Sequence, residues 1–136
     1  MVLTVDAAII VGGRSLLLLR RNKYPFAGKL VFPGGHAEDK DGNTRTAASR
    51  ELFEETGIEI PPERWELLAV LDGLARDHRY GFSVSVVYRA DINDPLILDK
   101  IRPSDEASEI LLVPIDELRE KDLGFDHFEA IKKIKK

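Results

Sequence analysis

The sequence contains no cysteine, which removes disulfides, thiolate metal sites and a cysteine nucleophile from consideration. No apolar run reaches the roughly 18–20 residues that a membrane-spanning helix needs. The longest candidate, residues 7–19, is broken by Gly12, Gly13 and Arg14. Met1 leads directly into strand-like sequence, without the basic segment and apolar core of an export signal. The expected location is therefore cytoplasmic, with no membrane partner. Excess positive charge is missing as well: the formal charge is −4, which argues against a nucleic-acid polymer as partner. Lys132, Lys133, Lys135 and Lys136 form one small basic end, read as cations at the negative end of a helix dipole. Internal repeats and low-complexity linkers are absent.

What remains is an ordinary globular composition. Hydrophobic residues make up 43% and charged residues 32% of the 136 positions, enough apolar material for a core and too much for a disordered chain. One domain over residues 1–136 is expected.

The pattern predicts strands over Val2–Val11 and residues 15–20, joined by a hairpin at Gly12-Gly13. A loop over 22–29 and a short strand over 30–32 lead to Pro33-Gly34-Gly35. A helix fits Thr44–Thr56, capped by Thr44 or Thr46 and ended by a left-handed Gly57, with Pro61-Pro62 preventing continuation. Strands over 65–74 and 82–90, a short strand over 110–113, a helix after Pro114 to about Arg119 and a helix over 125–135 complete the reading. This order implies the α/β class, a mixed sheet covered by helices.

The informative segment is Arg50-Glu51-Leu52-Phe53-Glu54-Glu55-Thr56-Gly57-Ile58. At about 100° per residue, Glu51, Glu54 and Glu55 fall within an arc of roughly 100°. Ala47 lies in the middle of that arc, where a small side chain leaves room for ions and backbone, and Arg50 lies one turn back from Glu54. In a cleft of effective dielectric near 20, two carboxylates about 6 Å apart repel by roughly 3 kcal/mol. Divalent cations would remove that cost, and hard oxygen ligands suit magnesium or manganese. A solvated helix with clustered glutamates has the same periodicity. The glycine pair before the helix adds a place where backbone can approach a ligand closely, although such a pair also serves as a plain turn.

Together these residues resemble the Nudix hydrolase signature: a glycine, five residues, a glutamate, seven residues, then Arg-Glu-aliphatic-x-Glu-Glu-x-Gly-aliphatic. Arg50 to Ile58 match its second half at every specified position. In the first half, with Gly35 as the glycine, the expected glutamate falls on Asp41 and the loop to Arg50 is one residue longer. Further segments are similar to the ADP-ribose pyrophosphatase branch: residues 24–29 before Phe32-Pro33-Gly34-Gly35, Arg76-Asp77-His78-Arg79 with the strand after it, and the C-terminal stretches at 105–107, 114–118 and 125–127.

The resemblance implies an α/β/α sandwich and magnesium-dependent hydrolysis of nucleoside diphosphate-linked compounds, with manganese as a second metal. It implies Glu51, Glu54 and Glu55 as metal ligands, with the Gly34 carbonyl opposite and Arg50 orienting the glutamates. Glu54, Arg50 and the loop residue Glu106 are the catalytic candidates, Glu106 as general base, with Glu109 nearby and a solvated acidic loop as the plain alternative. Arg76, Asp77 and Arg79 are candidate substrate contacts or, equally, a polar hairpin turn. His36, His78 and His127 suggest no histidine metal site, and His127 reads as a packed residue. The expected partner is a small-molecule nucleotide, foremost ADP-ribose, cleaved to AMP and ribose 5-phosphate. Hydrolysis of damaged nucleoside triphosphates and non-catalytic sensing of ADP-ribose stay open. A sensing regulator also needs a DNA-binding segment, for which this sequence leaves no residues. A homodimer is an assembly the resemblance leaves open.

Overall fold

A computed structural model describes residues 1–94, 96–102 and 107–134. Strand β1 (Val2–Val11) turns through Gly12 and Gly13, both at positive φ, into β2 (Ser15–Arg21). Next come β3 (Leu30–Val31), β4 (Gly34–His36), helix α1 (Thr44–Thr56), β5 (Glu66–Gly73), β6 (Ser83–Ile92), β7 (Ala107–Pro114) and helix α2 (His127–Ile134). The seven strands form one mixed sheet with the path β3-β2-β1-β6-β5, β4 pairing with β1 and β7 with β2. β1 runs parallel to β6 over its whole length and antiparallel to β4.

Alternation along β1 builds the layers. Val5, Ala7 and Ile9 point to one face and pack with Ala47, Ala48 and Leu52 of α1. Ala8 and Ile10 point to the other and pack with Ala130 and Ile131 of α2. A helix thus covers each face of the sheet, as an α/β/α sandwich requires. Among the described residues, no helix is long and apolar enough to cross a membrane.

Several local expectations are corrected. α1 is capped by Asn43, whose side chain accepts the Thr46 N–H at 2.8 Å. Thr44 instead bonds Tyr88, Oγ1 to Oη, at 2.6 Å. Gly57, as expected, ends the helix in the left-handed region at φ 81°, its N–H donating to Phe53 O. The segment after Pro114 forms 3-10 turns at Ile115–Glu117 and Glu120–Asp122 rather than a helix. α2 begins at His127, because Phe125 takes a left-handed φ of 52° that no helix interior allows. Ala47 is fully buried in the apolar core, so its small size admits strand backbone rather than ions. The glycine pair is itself a strand, β4, which the turn reading missed.

Candidate active site

The site starts with the two glycines. Neither needs a positive φ; both need space. A Cβ on Gly34 would collide with the Asp6 side chain and the Val5 carbonyl, and one on Gly35 with the Glu51 carboxylate. β4 is therefore wedged between β1 and the acidic face of α1. The Gly34 N–H donates to Glu55 Oε1 at 2.6 Å, which is how a buried glutamate is accommodated at this position.

A contrast follows. Gly34→Ala should cost about 1–3 kcal/mol of stability, since backbone and a β-pair stand in its way. Gly35→Ala meets only the end of a flexible carboxylate, so it should fold normally and lose about 10–100-fold in turnover as Glu51 is displaced. Urea denaturation paired with initial rates checks both, and equal loss of stability in the two would contradict the wedge geometry.

Arg50 is the hub of the acidic face. Its guanidinium donates to both carboxylate oxygens of Asp41, from Nε at 2.7 Å and from Nη2 at 2.9 Å. It also donates to Glu51 Oε1 at 2.9 Å, to Glu54 Oε1 at 3.0 Å and to the His36 carbonyl at 3.0 Å, and it pairs with Glu38 at 3.2 Å. Arg50 is only 16% exposed and Asp41 4%. The hydrogen bond from Arg50, opposed by burial, holds the Asp41 carboxyl down at about 2. The same bond, with help from Glu51, raises the guanidinium above its ordinary value.

The residue added to the loop finds its place here. Asp39–Asp41 form a 3-10 turn, closed by the Glu38 N–H donating to Asp41 at 2.9 Å and by Gly42 at φ 79°. That turn presents Asp41 to Arg50. Glu54 remains 53% exposed, so of the three candidate glutamates one faces solvent and two line β4.

Beside Gly34, Gly35 and Glu55 a cavity of about 120 Å³ opens, walled by Asp6, Phe32, Arg79, Tyr80, Phe125 and His127. Arg76 reaches it but is committed elsewhere, donating to both oxygens of Asp126 at 2.9 and 2.8 Å and to Ser83. Asp77 accepts from the Arg79 backbone N–H and, twice, from its guanidinium. Burial alone would raise the Asp77 carboxyl, but these bonds outweigh it and hold the group below its ordinary value. His127 is buried and stacks on Phe32, whose N–H donates to its Nδ1 at 3.2 Å. Its Nε2 lies 3.5 Å from Asp6, which also accepts from Ser85. Asp6 was not singled out from sequence, although a lone acid within an apolar strand was the available signal. Glu106 lies outside the described residues.

The donor set suits a hard cation: three carboxylates, with a backbone that leaves no room for a Cβ. Among the described residues no three His, Asp or Glu side chains stand in ligand geometry together. Glu51 and Glu54 are both turned to Arg50 Nη1, and Glu55 to the Gly34 N–H.

Comparison with known proteins decides the family: the sequence matches the NUDIX domain over residues 2–134. The chain belongs to the Nudix hydrolases. It is 34% identical over 124 residues to an ADP-ribose pyrophosphatase of Methanocaldococcus jannaschii, covering 91% of this chain and 68% of that one. It is 32% identical over 126 residues to the mouse mitochondrial coenzyme A diphosphatase NUDT8, covering 89% of this chain and 54% of that protein. The Nudix domain of Shewanella oneidensis NrtR, solved with ADP ribose, superposes with a TM-score of 0.84 at 27% identity, covering 99% and 86% of the two chains. Nudix hydrolases are pyrophosphohydrolases that generally work with divalent metals, and in this Nudix chain Glu51 and Glu55 meet the Gly34–Gly35 strand while Glu55 alone of the helix glutamates lines the cavity.

Proposed function

We propose that this chain hydrolyses the pyrophosphate bond of ADP-ribose, giving AMP and ribose 5-phosphate, with magnesium as cofactor and manganese as substitute. The observation that supports it most is the packing of the acidic face of α1 on the glycine strand, at the mouth of a cavity large enough for one end of such a substrate.

Glu51, Glu54 and Glu55 would hold the metal with the Gly34 carbonyl, once Glu51 and Glu54 turn from Arg50. Bound there, divalent ions neutralise phosphate charge and make water a better nucleophile. Arg50 keeps the glutamates aligned, a role suited to a rigid, always-charged fork. Water attacks one phosphorus in line and the bridging oxygen leaves with the other phosphate. A carboxylate takes the water's proton; Glu106 is our assignment, with a glutamate of α1 as the alternative. Arg76 and Asp77 serve by holding the cavity wall, and Arg79 faces the substrate. The functional unit in this reading is one Nudix domain.

Side-by-side turnover of ADP-ribose, a coenzyme A diphosphate substrate and a panel of nucleoside triphosphates tests the assignment. ADP-ribose should lead by at least about tenfold in kcat/KM, a 1.4 kcal/mol preference, with AMP and ribose 5-phosphate as products. Preference for coenzyme A or a triphosphate would overturn it. The likeness to the NrtR domain supports a second reading, a module that binds ADP-ribose without cleaving it. Tight binding with no turnover in magnesium would select that one.

A further inference from the structure

Resting on that functional reading, we infer that Asp6 is a positioning residue for the divalent cation: it packs against the Gly34 peptide and sets a buried negative charge behind it. Asp6 lies on β1 among Val5, Ala7 and Ala8, all buried, and is itself only 7% exposed. A carboxylate in such company is costly unless something compensates its charge.

The pairing of β4 with β1 shows what Asp6 touches. The Ala37 N–H donates to Leu3 O at 3.1 Å, and the Ala7 N–H to Pro33 O at 2.8 Å. Hydrogen-bonded pairs alternate along an antiparallel ladder. Asp6 and Gly34, partnered between those two bonds, therefore form a close pair without bonds to each other. The Gly34 N–H and C=O both point away from β1, and the N–H is the one that reaches Glu55. On the other side, the Asp6 carboxylate fills the space that a Gly34 side chain would need. It stands directly behind the peptide whose carbonyl would hold the metal.

The surroundings of Asp6 hold its charge without neutralising it. Among the described residues its partners are Ser85, whose hydroxyl donates to Oδ2, and His127, whose Nε2 lies 3.5 Å from the same oxygen. His127 Nδ1 accepts the Phe32 N–H at 3.2 Å, which leaves Nε2 to carry the ring proton. Neither partner is a permanent cation. Arg76 is the cation nearby, and it already holds both oxygens of Asp126. An asparagine would accept the same hydrogen bonds without a buried charge, so packing alone does not call for an acid. A divalent ion on the Gly34 carbonyl does, because groups behind a metal's ligands orient them and strengthen their hold. Asp6, Gly34 and Glu55 line one cavity, so the charge acts across buried space rather than through bulk water.

Binding of manganese alone, followed by the paramagnetic resonance signal of the free ion with no substrate present, tests this role. Asp6→Asn keeps the shape and the hydrogen-bond partners and removes the charge. It should weaken manganese binding about tenfold, the lower end for residues that support metal ligands, with melting at or above wild type. The loss should persist in high salt, since a buried charge is little screened. Asp116→Asn makes the same change in net charge on the exposed 3-10 turn after Pro114, and should bind manganese as the wild type does. Unchanged affinity in Asp6→Asn, an equal loss in Asp116→Asn, or no manganese binding by the wild type would overturn the inference. A protein that fails to hydrolyse ADP-ribose yet loses manganese affinity in Asp6→Asn would defeat the proposed function and leave this role standing. Should Asp6→Asn not fold, Asp6→Ser, smaller and still able to accept the Ser85 bond, decides in its place.

Discussion

Glu54→Gln is expected to lower metal-dependent turnover by roughly a thousandfold, about 4 kcal/mol of transition-state stabilisation, while barely touching the fold. The two halves of that expectation come from different features. Glu54 is exposed, and among the described residues its partner is Arg50, an i,i+4 pair at 3.0 Å. Exposed pairs of this kind contribute about 0.3–0.5 kcal/mol, so the melting temperature should move by only about 1–2 °C. The amide fills the same space but brings no negative charge to a cation or a phosphate. Initial rates across a magnesium titration, alongside thermal melts, check both. Turnover within a few-fold of wild type at saturating magnesium would remove Glu54 from the mechanism.

Arg50→Met should have the largest effect on stability. It strips the cation from Asp41, Glu38, Glu51 and Glu54 together, and Asp41 has little access to water. Breaking a buried pair from one side costs about 3–5 kcal/mol; a value near 3 corresponds to roughly 10 °C in melting temperature for a domain of this size. The pH dependence should change with it. Because Asp41 is lowered from its ordinary 3.8 to about 2 in the folded protein, its contribution is complete above about pH 4 and is lost as pH falls towards 2. Acid titrations of stability should show that step in the wild type and lack it in Arg50→Met and in Asp41→Asn. A melting temperature unchanged in Arg50→Met would mean that the cluster is a surface ornament.

The sequence made some of this visible and hid the rest for physical reasons. Residues 50–58 carry a dense pattern on one helix, so both the helix and its acidic face could be read directly. The apolar alternation of β1 and the β-branched run of β6 were equally plain. The cap of α1 was misplaced because Asn, Thr and Thr all sit within four residues, and only the backbone at Asn43 decides which is outside the helix. β4 could not be seen, since a glycine pair after a proline has the local signature of a turn; its strand geometry is imposed by β1. Arg76-Asp77-His78-Arg79 announced itself as polar, but not that Arg76 is tied to Asp126, fifty residues on. Such pairings come from tertiary contact, which no local pattern records.

The pairing of β1 with β6 also bears on how the molecule assembles. Val2 lies opposite Ser83 and Val11 opposite Ile92, so the innermost strand of the sheet must wait for a neighbour some eighty positions later in the chain. Loop closure over that distance is slow compared with forming α1 or the β1–β2 hairpin. On the ribosome, therefore, β1, the glycine strand and the acidic helix, which pack on one another, emerge well before the strand that completes the sheet beside them. A nascent chain interrupted before β6 would leave one long edge of β1, a strongly apolar strand, without its neighbour.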